Sequence, residues 1–325
     1  MVKLAIAGGS GQVAREIIDA LLATRNHDIT ILTRNETHPN DDLPGIQRRV
    51  VDYSDQNSLV EALRGFHTLL SFIQPLSDPE GRVQKTLIDA AIAAGVKRFA
   101  PSEYGSAGTI NMPWWSGKEK IREYLREVNT ESKVLEYILF QPGLFLDYLA
   151  FPYKTSKHID PLRSVFDIQS CRALMVEGHG DAVMTLTSAK DVAALVARAV
   201  DYQGQWPEVG GISGNRMSVA QIIATGEEIR GRPFTIEKVK SEDLEAGVLK
   251  TSWSLAKRHQ SISEEQANGM ATTVSIGILL SCSKGAWDVS NELNQLFPDH
   301  HFDDMQSFLT RVWDGKPEEL VSSQA

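Results

Sequence analysis

The sequence predicts an α/β fold, a doubly wound parallel sheet over residues 1–150 joined to a smaller, less regular region. Three observations carry this reading. Short apolar runs alternate with stretches of helical periodicity through the first 145 residues, the pattern of strands joined by crossover helices in one parallel sheet. A glycine cluster stands between the first apolar run and the first helix. The alternation then stops at Gln141-Pro142-Gly143, beyond which Pro152, Pro161, Pro207 and Pro233 punctuate shorter elements.

Leu4-Ala5-Ile6-Ala7 reads as the first strand and runs into Gly8-Gly9-Ser10-Gly11. From Val13 to Leu22 the apolar residues fall at 13, 14, 17, 18, 21 and 22, which lines one face of a helix. Ile29 to Leu32 is the second strand, Arg48 to Val51 the third, Ser58 to Arg64 a helix and His67 to Phe72 the fourth strand. A helix from Val83 to Ala94 stops at Gly95, a residue suited to a helix C-terminus. Arg98 to Ala100 is the fifth strand, Lys118 to Val128 a helix and Val134 to Phe140 the sixth strand. Further on, Asp191 to Ala199 has strong helical periodicity, and residues 180–202 are expected to pack back on the first sheet. Residues 151–179 and 203–325 form the smaller, substrate-binding region, with helices over Ser218 to Arg230 and within 269–296. The tail, residues 317–325, is polar and reads as frayed.

The chain has 325 residues, 42% hydrophobic and 23% charged, as a folded domain requires. Lys and Arg number 33 against 42 Asp and Glu, a formal charge of -9, which removes the electrostatic basis for nucleic-acid binding. Cys171 and Cys282 are too few and too far apart for a disulfide framework or a zinc finger, and a reducing compartment suits them. The start shows no secretory h-region, and the longest later apolar stretch, Val274 to Cys282, is far below the roughly 20 residues of a membrane span. A cytoplasmic protein with no membrane partner is expected.

Gly8-x-x-Gly11-x-x-Ala14 follows a strand and opens a helix, so main-chain N–H groups and the helix N-terminus face a pyrophosphate, as in Rossmann dinucleotide sites. Gly8 permits the tight turn, Gly11 admits the phosphates and Ala14 lets helix and strand approach; Ser10, Gln12 and Val13 belong to the same turn. At the end of the second strand, Leu32-Thr33-Arg34-Asn35 has no acid for a ribose diol. Arg34 stands there instead and favours NADP(H). A guanidinium–phosphate hydrogen bond is worth about 1.5–3 kcal/mol, on the order of ten- to a hundredfold in preference. Asp52 is placed either to accept from the adenine amino group or to cap its own turn.

Gly8-Gly9-Ser10-Gly11, Arg34, Ser71-Phe72, Pro101-Ser102-Glu103-Tyr104-Gly105, Gly117-Lys118-x-x-Ile121 and Pro142-Gly143-Leu144-Phe145 together resemble the NmrA-like and isoflavone-reductase-like atypical short-chain dehydrogenases. The resemblance extends over Thr185 to Val192 and Val239 to Leu244 and weakens beyond about residue 255. It implies bound NADP(H), a substrate pocket between the two regions, and a lysine acting in the slot that Lys118 fills. Ser71, Phe72, Ile73 and Gln74 would pass the adenosine and pyrophosphate. Pro101, Ser102, Glu103, Tyr104, Pro142, Gly143 and Phe145 would border the nicotinamide end. Tyr104, Trp114, Leu144, Phe145 and Tyr148 would line the pocket, and such a lining suits an apolar substrate.

The Tyr and Lys four residues apart that ordinary short-chain dehydrogenases use occur here as Tyr153 and Lys157, yet after the sixth strand rather than before it, which makes the pair a decoy. In the proper slot, Trp114-Trp115-Ser116-Gly117-Lys118, Trp114 replaces the tyrosine. Lys118 must then both hold the ribose and serve as general acid, aided by burial that favours the neutral amine. Tyr104 offers a phenol, although the family position is often phenylalanine, which argues for packing. His300-His301-x-Asp303-Asp304 reads as a solvated turn rather than a metal site, and Glu227-Glu228 and Glu264-Glu265 as helix surface. The leading expectation is an NADPH-dependent reductase of an aromatic or polyketide-like secondary metabolite, acting on a carbonyl or activated C=C. The alternatives are a non-catalytic NADP(H) sensor with a protein partner and a redox-neutral isomerase or cyclase.

Overall fold

Strands β1 (Val2–Ala7), β2 (His27–Thr33), β3 (Ile46–Val50), β4 (Thr68–Ser71), β5 (Arg98–Ala100) and β6 (Glu136–Tyr137) form one parallel sheet in the order β3-β2-β1-β4-β5-β6. Helices α1 (Gln12–Thr24), α2 (Gln56–Leu63), α3 (Arg82–Ala94) and α4 (Ser116–Val128) connect them. The computed structural model describes residues 2–34, 45–253 and 264–316, without the side chains of 264–268. The strand order turns at β1 and β4, so a ligand crevice is expected outside their C-terminal ends.

The alternation of side chains along β1 explains the two layers of core. Leu4 and Ile6 face one side, with Ile17 and Ile18 of α1 and Val192 and Val196 of α5 (Ala189–Asp201). Ala5 and Ala7 face the other, with Leu63, Leu87, Ile88, Ile121 and Leu125 from α2, α3 and α4. Both faces are covered, which is why the strand reads as an unbroken apolar run.

The sixth strand differs from its sequence reading. Val134 is exposed in a loop held by Asn129, and pairing with β5 begins only at Glu136. After Ile138 the chain continues as β7 (Leu139–Gln141), which pairs in parallel with β12 (Val209–Gly211). Residues 209–211 therefore extend the first layer rather than the smaller region. Trp206, Leu293 and Phe297 are buried in the same core as β1 and α5, so the chain beyond 203 contributes to both regions.

The smaller region packs two three-stranded sheets. One is β9 (Phe166–Asp167), β10 (Arg172–Val176) and β14 (Thr235–Val239); the other is β8 (Leu144–Phe145), β11 (Val183–Thr187) and β13 (Asn215–Ser218). Helix α6 (Val219–Arg230) begins at the expected place, with Ser218 and Gln221 closing a capping box. Helix α7 (Ser241–Glu245) is short. The expected helical stretch 269–296 resolves into α8 (Glu264–Ser283) and α9 (Glu292–Leu296), broken at Gly285 with φ +79°. Helix α10 (Met305–Trp313) closes the second core over Phe166, Leu174, Ile222 and Trp287. The frayed tail and the Glu264-Glu265 side chains lie outside the described residues.

Gly143 joins the regions. It adopts φ +74° and donates its N–H to the Gly105 carbonyl at 3.0 Å, while a Cβ there would lie 2.2 Å from the Thr185 carbonyl oxygen. Gly143→Ala is expected to lower stability to chemical denaturation by more than about 2 kcal/mol. A variant as stable as the parent would contradict this contact.

Candidate functional site

The glycine turn lies at the C-terminal end of β1, and its glycines have different duties. A Cβ on Gly8 (φ +76°) would lie 2.7 Å from the Phe72 carbonyl, and one on Gly9 would lie 2.9 Å from the Ile31 side chain. Both glycines are required by the protein's own packing. Gly11, the N-cap of α1, has φ -68°, and a Cβ there would meet only the Gly8 carbonyl oxygen at 3.6 Å. No side chain caps α1, which leaves its leading N–H groups for an anion. Ala14 is fully buried against the sheet, as its place in the motif requires.

A cleft of about 1030 Å³, including its open mouth, runs from Gly8, Ser10 and Gly11 past Phe72, Ile73 and Gln74 to Arg34 and Tyr53. Arg34 is exposed at its end. Asp52 accepts from the Ser54 N–H at 2.8 Å and the Ser54 hydroxyl at 2.6 Å, which holds its carboxyl below the usual range. Of its two sequence readings, the turn cap is the one seen. The Tyr53 hydroxyl donates to the Leu32 carbonyl at 3.0 Å, and burial pushes it up to about 12, so it remains a neutral wall of the cleft.

Two expected ligand residues have their side chains committed elsewhere. Gln12 exchanges hydrogen bonds with Asp160, donating at 2.7 Å and accepting from its N–H at 3.1 Å, so this residue offers the turn its main chain, as does half-buried Val13. The Ser71 hydroxyl turns inward to Gln84 Oε1 at 3.2 Å, and the same oxygen accepts the Ser102 N–H at 2.8 Å. Gln84 thus ties the ends of β4 and β5 together. Its signal in the sequence was a polar residue in the buried helical stripe with Leu87 and Ile88.

From the glycine turn a continuous line of contacts leads to the candidate acid. Phe72, pressed against Gly8, stacks on Tyr104 with centroids 4.7 Å apart, and Tyr104 stacks on Phe140 at 6.0 Å. The Tyr104 hydroxyl is buried without a partner among the described residues, and burial pushes it well above the usual phenol range. Of the two sequence readings of Tyr104, the ring stacking fits the packing one. Its backbone has φ +28°, strained for a non-glycine residue, in the loop after β5.

Lys118 lies in the first turn of α4 and is 3% exposed, not the solvated lysine usual on a helix surface. Its Nζ donates to the Glu103 main-chain carbonyl and lies 3.6 Å from the centroid of the Trp115 ring. Gly105 makes room for this arrangement, since a Cβ there would lie 2.7 Å from the Trp115 ring and 3.3 Å from Nζ. Burial pulls the amine down from 10.5 to about 8, against the opposing pull of the Glu103 charge. A proton donor near working pH results.

The Glu103 side chain is not free for a ligand. It is gripped by Arg122, with Nε to Oε1 at 3.1 Å and Nη2 to Oε2 at 2.6 Å, both residues buried. Sequence reading missed Arg122, although it follows Ile121 of the quoted motif and lies one turn beyond Lys118. Pro101 and Pro142 are buried in the loops flanking this group. Leu144 and Phe145 are core residues, 7% and 6% exposed. Half-buried Tyr148 meets Phe145 edge-on at 5.7 Å, and half-buried Trp114 meets Trp115 at 6.3 Å.

The Tyr153 and Lys157 side chains go to different partners. Tyr153 packs on Trp313 at 5.2 Å while Lys157 pairs with Asp19 at 2.7 Å. His300, read from the sequence as part of a solvated turn, is instead half-buried and bound to the buried Asp191 at 2.9 Å, because that carboxylate also takes the Asp303 N–H and anchors the segment; among the described residues no group of His, Cys, Asp or Glu is arranged to hold a metal. Cys171 and Cys282 are buried free thiols, and burial pushes Cys282 up to about 12. Among the described residues no helix is long and apolar enough to cross a membrane.

The family model described as NmrA-like family matches residues 2–308. Oxidoreductase BOA1 of Botryotinia fuckeliana is 32% identical over 241 residues, covering 72% of this chain and 78% of its own. Phenylcoumaran benzylic ether reductase 1 of Arabidopsis thaliana is 26% identical, with 61% of this chain and 64% of its own covered. Among solved structures, AtPrR2 with NADP+ and (+)pinoresinol has a TM-score of 0.66 at 17% identity, covering 96% of this chain and 98% of its own. The binary complex of leucoanthocyanidin reductase with NADPH from Vitis vinifera has a TM-score of 0.64 at 18% identity, covering 95% and 99%. These structures share the fold.

Two outcomes follow from the geometry. Gly11→Ala should leave stability within about 0.5 kcal/mol of the parent while weakening NADPH binding at least tenfold by calorimetry, because only a ligand needs that space. A variant that binds as the parent does would contradict the cradle. Lys118 binds its proton more weakly folded than unfolded, so its burial lowers stability below pH 8, and the cost fades as pH rises from 8 to 10.5. Lys118→Met should therefore be more stable than the parent at pH 7 by about 2 kcal/mol, with the difference vanishing above about pH 10.5. Equal stability across that range would contradict the buried, proton-poor amine.

Proposed function

The chain belongs to the NmrA-like family, and on that premise we propose that it is an NADPH-dependent reductase of an apolar aromatic or polyketide-like small molecule, with Lys118 as general acid. The carrying observation is the unbroken line of contacts from Gly8 through Phe72, Tyr104 and the Glu103 carbonyl to the Lys118 amine. It supports a proton donor on the same sheet edge as an uncapped helix N-terminus.

The residues present fit a 2'-phosphorylated dinucleotide. The leading N–H groups of α1, with Gly11 bare of a side chain, receive the pyrophosphate. Arg34, at the far end of the cleft, would receive the ribose phosphate. When bound, the cofactor supplies hydride to a carbonyl or an activated double bond. The protein supplies the proton. Lys118 holds it at Nζ, and the Glu103 carbonyl fixes the direction of the amine.

An aromatic substrate is favoured by half-buried Trp115, whose ring lies at the amine, and by half-buried Trp114 packed against it. The phenylcoumaran ether and (+)-pinoresinol in the names of similar proteins support the same class. A pure sensor of NADP(H) has no need of a lysine whose burial costs stability, and that cost favours an enzyme over a regulatory binding protein.

A panel of aromatic enones, ketones and quinones, followed by loss of NADPH absorbance, tests the reading. Turnover should fall about 10²- to 10⁴-fold in Lys118→Ala with NADPH affinity changed by less than about threefold. Arg34→Ala should reduce the preference for NADPH over NADH by about ten- to a hundredfold. No oxidation of NADPH across the panel, with cofactor-dependent capture of a partner protein, would replace the reductase by the sensor.

A further inference from the structure

We propose that the buried Glu103–Arg122 ion pair is the positioning device of the site, holding the carbonyl that receives the Lys118 amine and balancing the charge around it. Glu103 is bound at both ends. Its carboxylate takes two hydrogen bonds from the Arg122 guanidinium, and its main-chain carbonyl takes the Lys118 ammonium. Lys118 and Arg122 are four residues apart in α4 and so lie on one face of the helix. One helix face therefore grips one loop residue twice.

Arg122 also donates to the Ala107 carbonyl at 2.8 Å and to Glu119 Oε1 at 2.9 Å. The loop it binds contains Tyr104 at φ +28°, a conformation that persists only where surrounding contacts over-determine it. The guanidinium's bonds to the Glu103 carboxylate and the Ala107 carbonyl are among the contacts that hold this loop, and with it the carbonyl that receives the amine. A pair this well buried is poor evidence for net stability but a good means of specifying one arrangement.

The charges facing the amine are Glu103 from the loop after β5 and Glu119 and Arg122 from α4 itself, with the Trp115 ring face beneath. Glu103 and Glu119 favour the ammonium, while burial and Arg122 oppose it. The two members of the ion pair thus act on Lys118 with opposite signs.

This inference rests on the reading of Lys118 as the proton donor, but its test does not require turnover. The full-length protein is labelled with trace acetic anhydride across a pH series, and the extent of Lys118 acetylation is read by mass spectrometry. The parent should reach half-reactivity near pH 8. Arg122→Met should move that midpoint up by about one unit, a roughly tenfold loss of reactivity at pH 8, and Glu103→Gln should move it down by a similar amount. The double variant should return toward the parent, and Arg122→Lys, which keeps the charge, should keep the midpoint. If Arg122→Met does not fold, the direction of the Glu103→Gln shift decides. Midpoints that stay fixed, or a Glu103→Gln midpoint that rises, would overturn the proposal. Midpoints that shift as stated while the pH profile of NADPH oxidation ignores them would instead remove Lys118 as the donor and leave the role of the pair intact.

Discussion

An ammonium taken out of water needs an acceptor and a compensating charge, and the architecture around Lys118 provides both from one residue. The Glu103 carbonyl receives the amine, and the Glu103 carboxylate, neutralised by Arg122, stands behind it. This requires α4 to sit very close to the loops before and beside it. Gly117 makes that approach possible, since a Cβ there would lie 2.9 Å from the Pro79 carbonyl oxygen, and Gly81 does the same against Ile121. Trp115 fills the remaining side with a ring face, which stabilises a cation without offering it a proton acceptor.

The same constraint connects the reactive end to the nucleotide end. Adjacent parallel strands bring the loops after β1, β4 and β5 to one edge, with Ala7 beside Ser71 and Leu70 beside Ala100. Across those loops the contacts are van der Waals and aromatic: Gly8 on Phe72, Phe72 on Tyr104. Rings packed in this way are rigid, and a site built on strand ends with a stiff packing layer holds its geometry better than one on free loops. Gly143, hydrogen-bonded to Gly105, carries the constraint across to the smaller region.

Much of the fold was legible because its signals are local. The β1–turn–α1 unit followed from periodicity and glycine placement within about 20 residues, and the helix α6 from its periodicity. The sixth strand was not legible in the same way, because the change of partner after Ile138 depends on Val209–Gly211, some 70 residues distant. In the site, Gly8, Gly11 and Lys118 could be picked out by residue type and slot. Gln84 and Arg122 were missed: their places beside buried helix positions were visible, but their partners come from other loops. Ser71, Gln12 and Glu103 were expected at the ligand, and their side chains are held by Gln84, Asp160 and Arg122. Tyr104 shows the converse, a phenol in the expected loop whose ring is stacked between Phe72 and Phe140.

The account stands on the Lys118 amine and the nucleotide sharing one site. A crystal structure of the full chain grown with NADP+ measures this directly. The account predicts the pyrophosphate on the first turn of α1 and Lys118 Nζ within about 3 Å of a nicotinamide-ribose hydroxyl, or one water away. A dinucleotide bound with its nicotinamide on the far side of Trp115, out of reach of that amine, would contradict it.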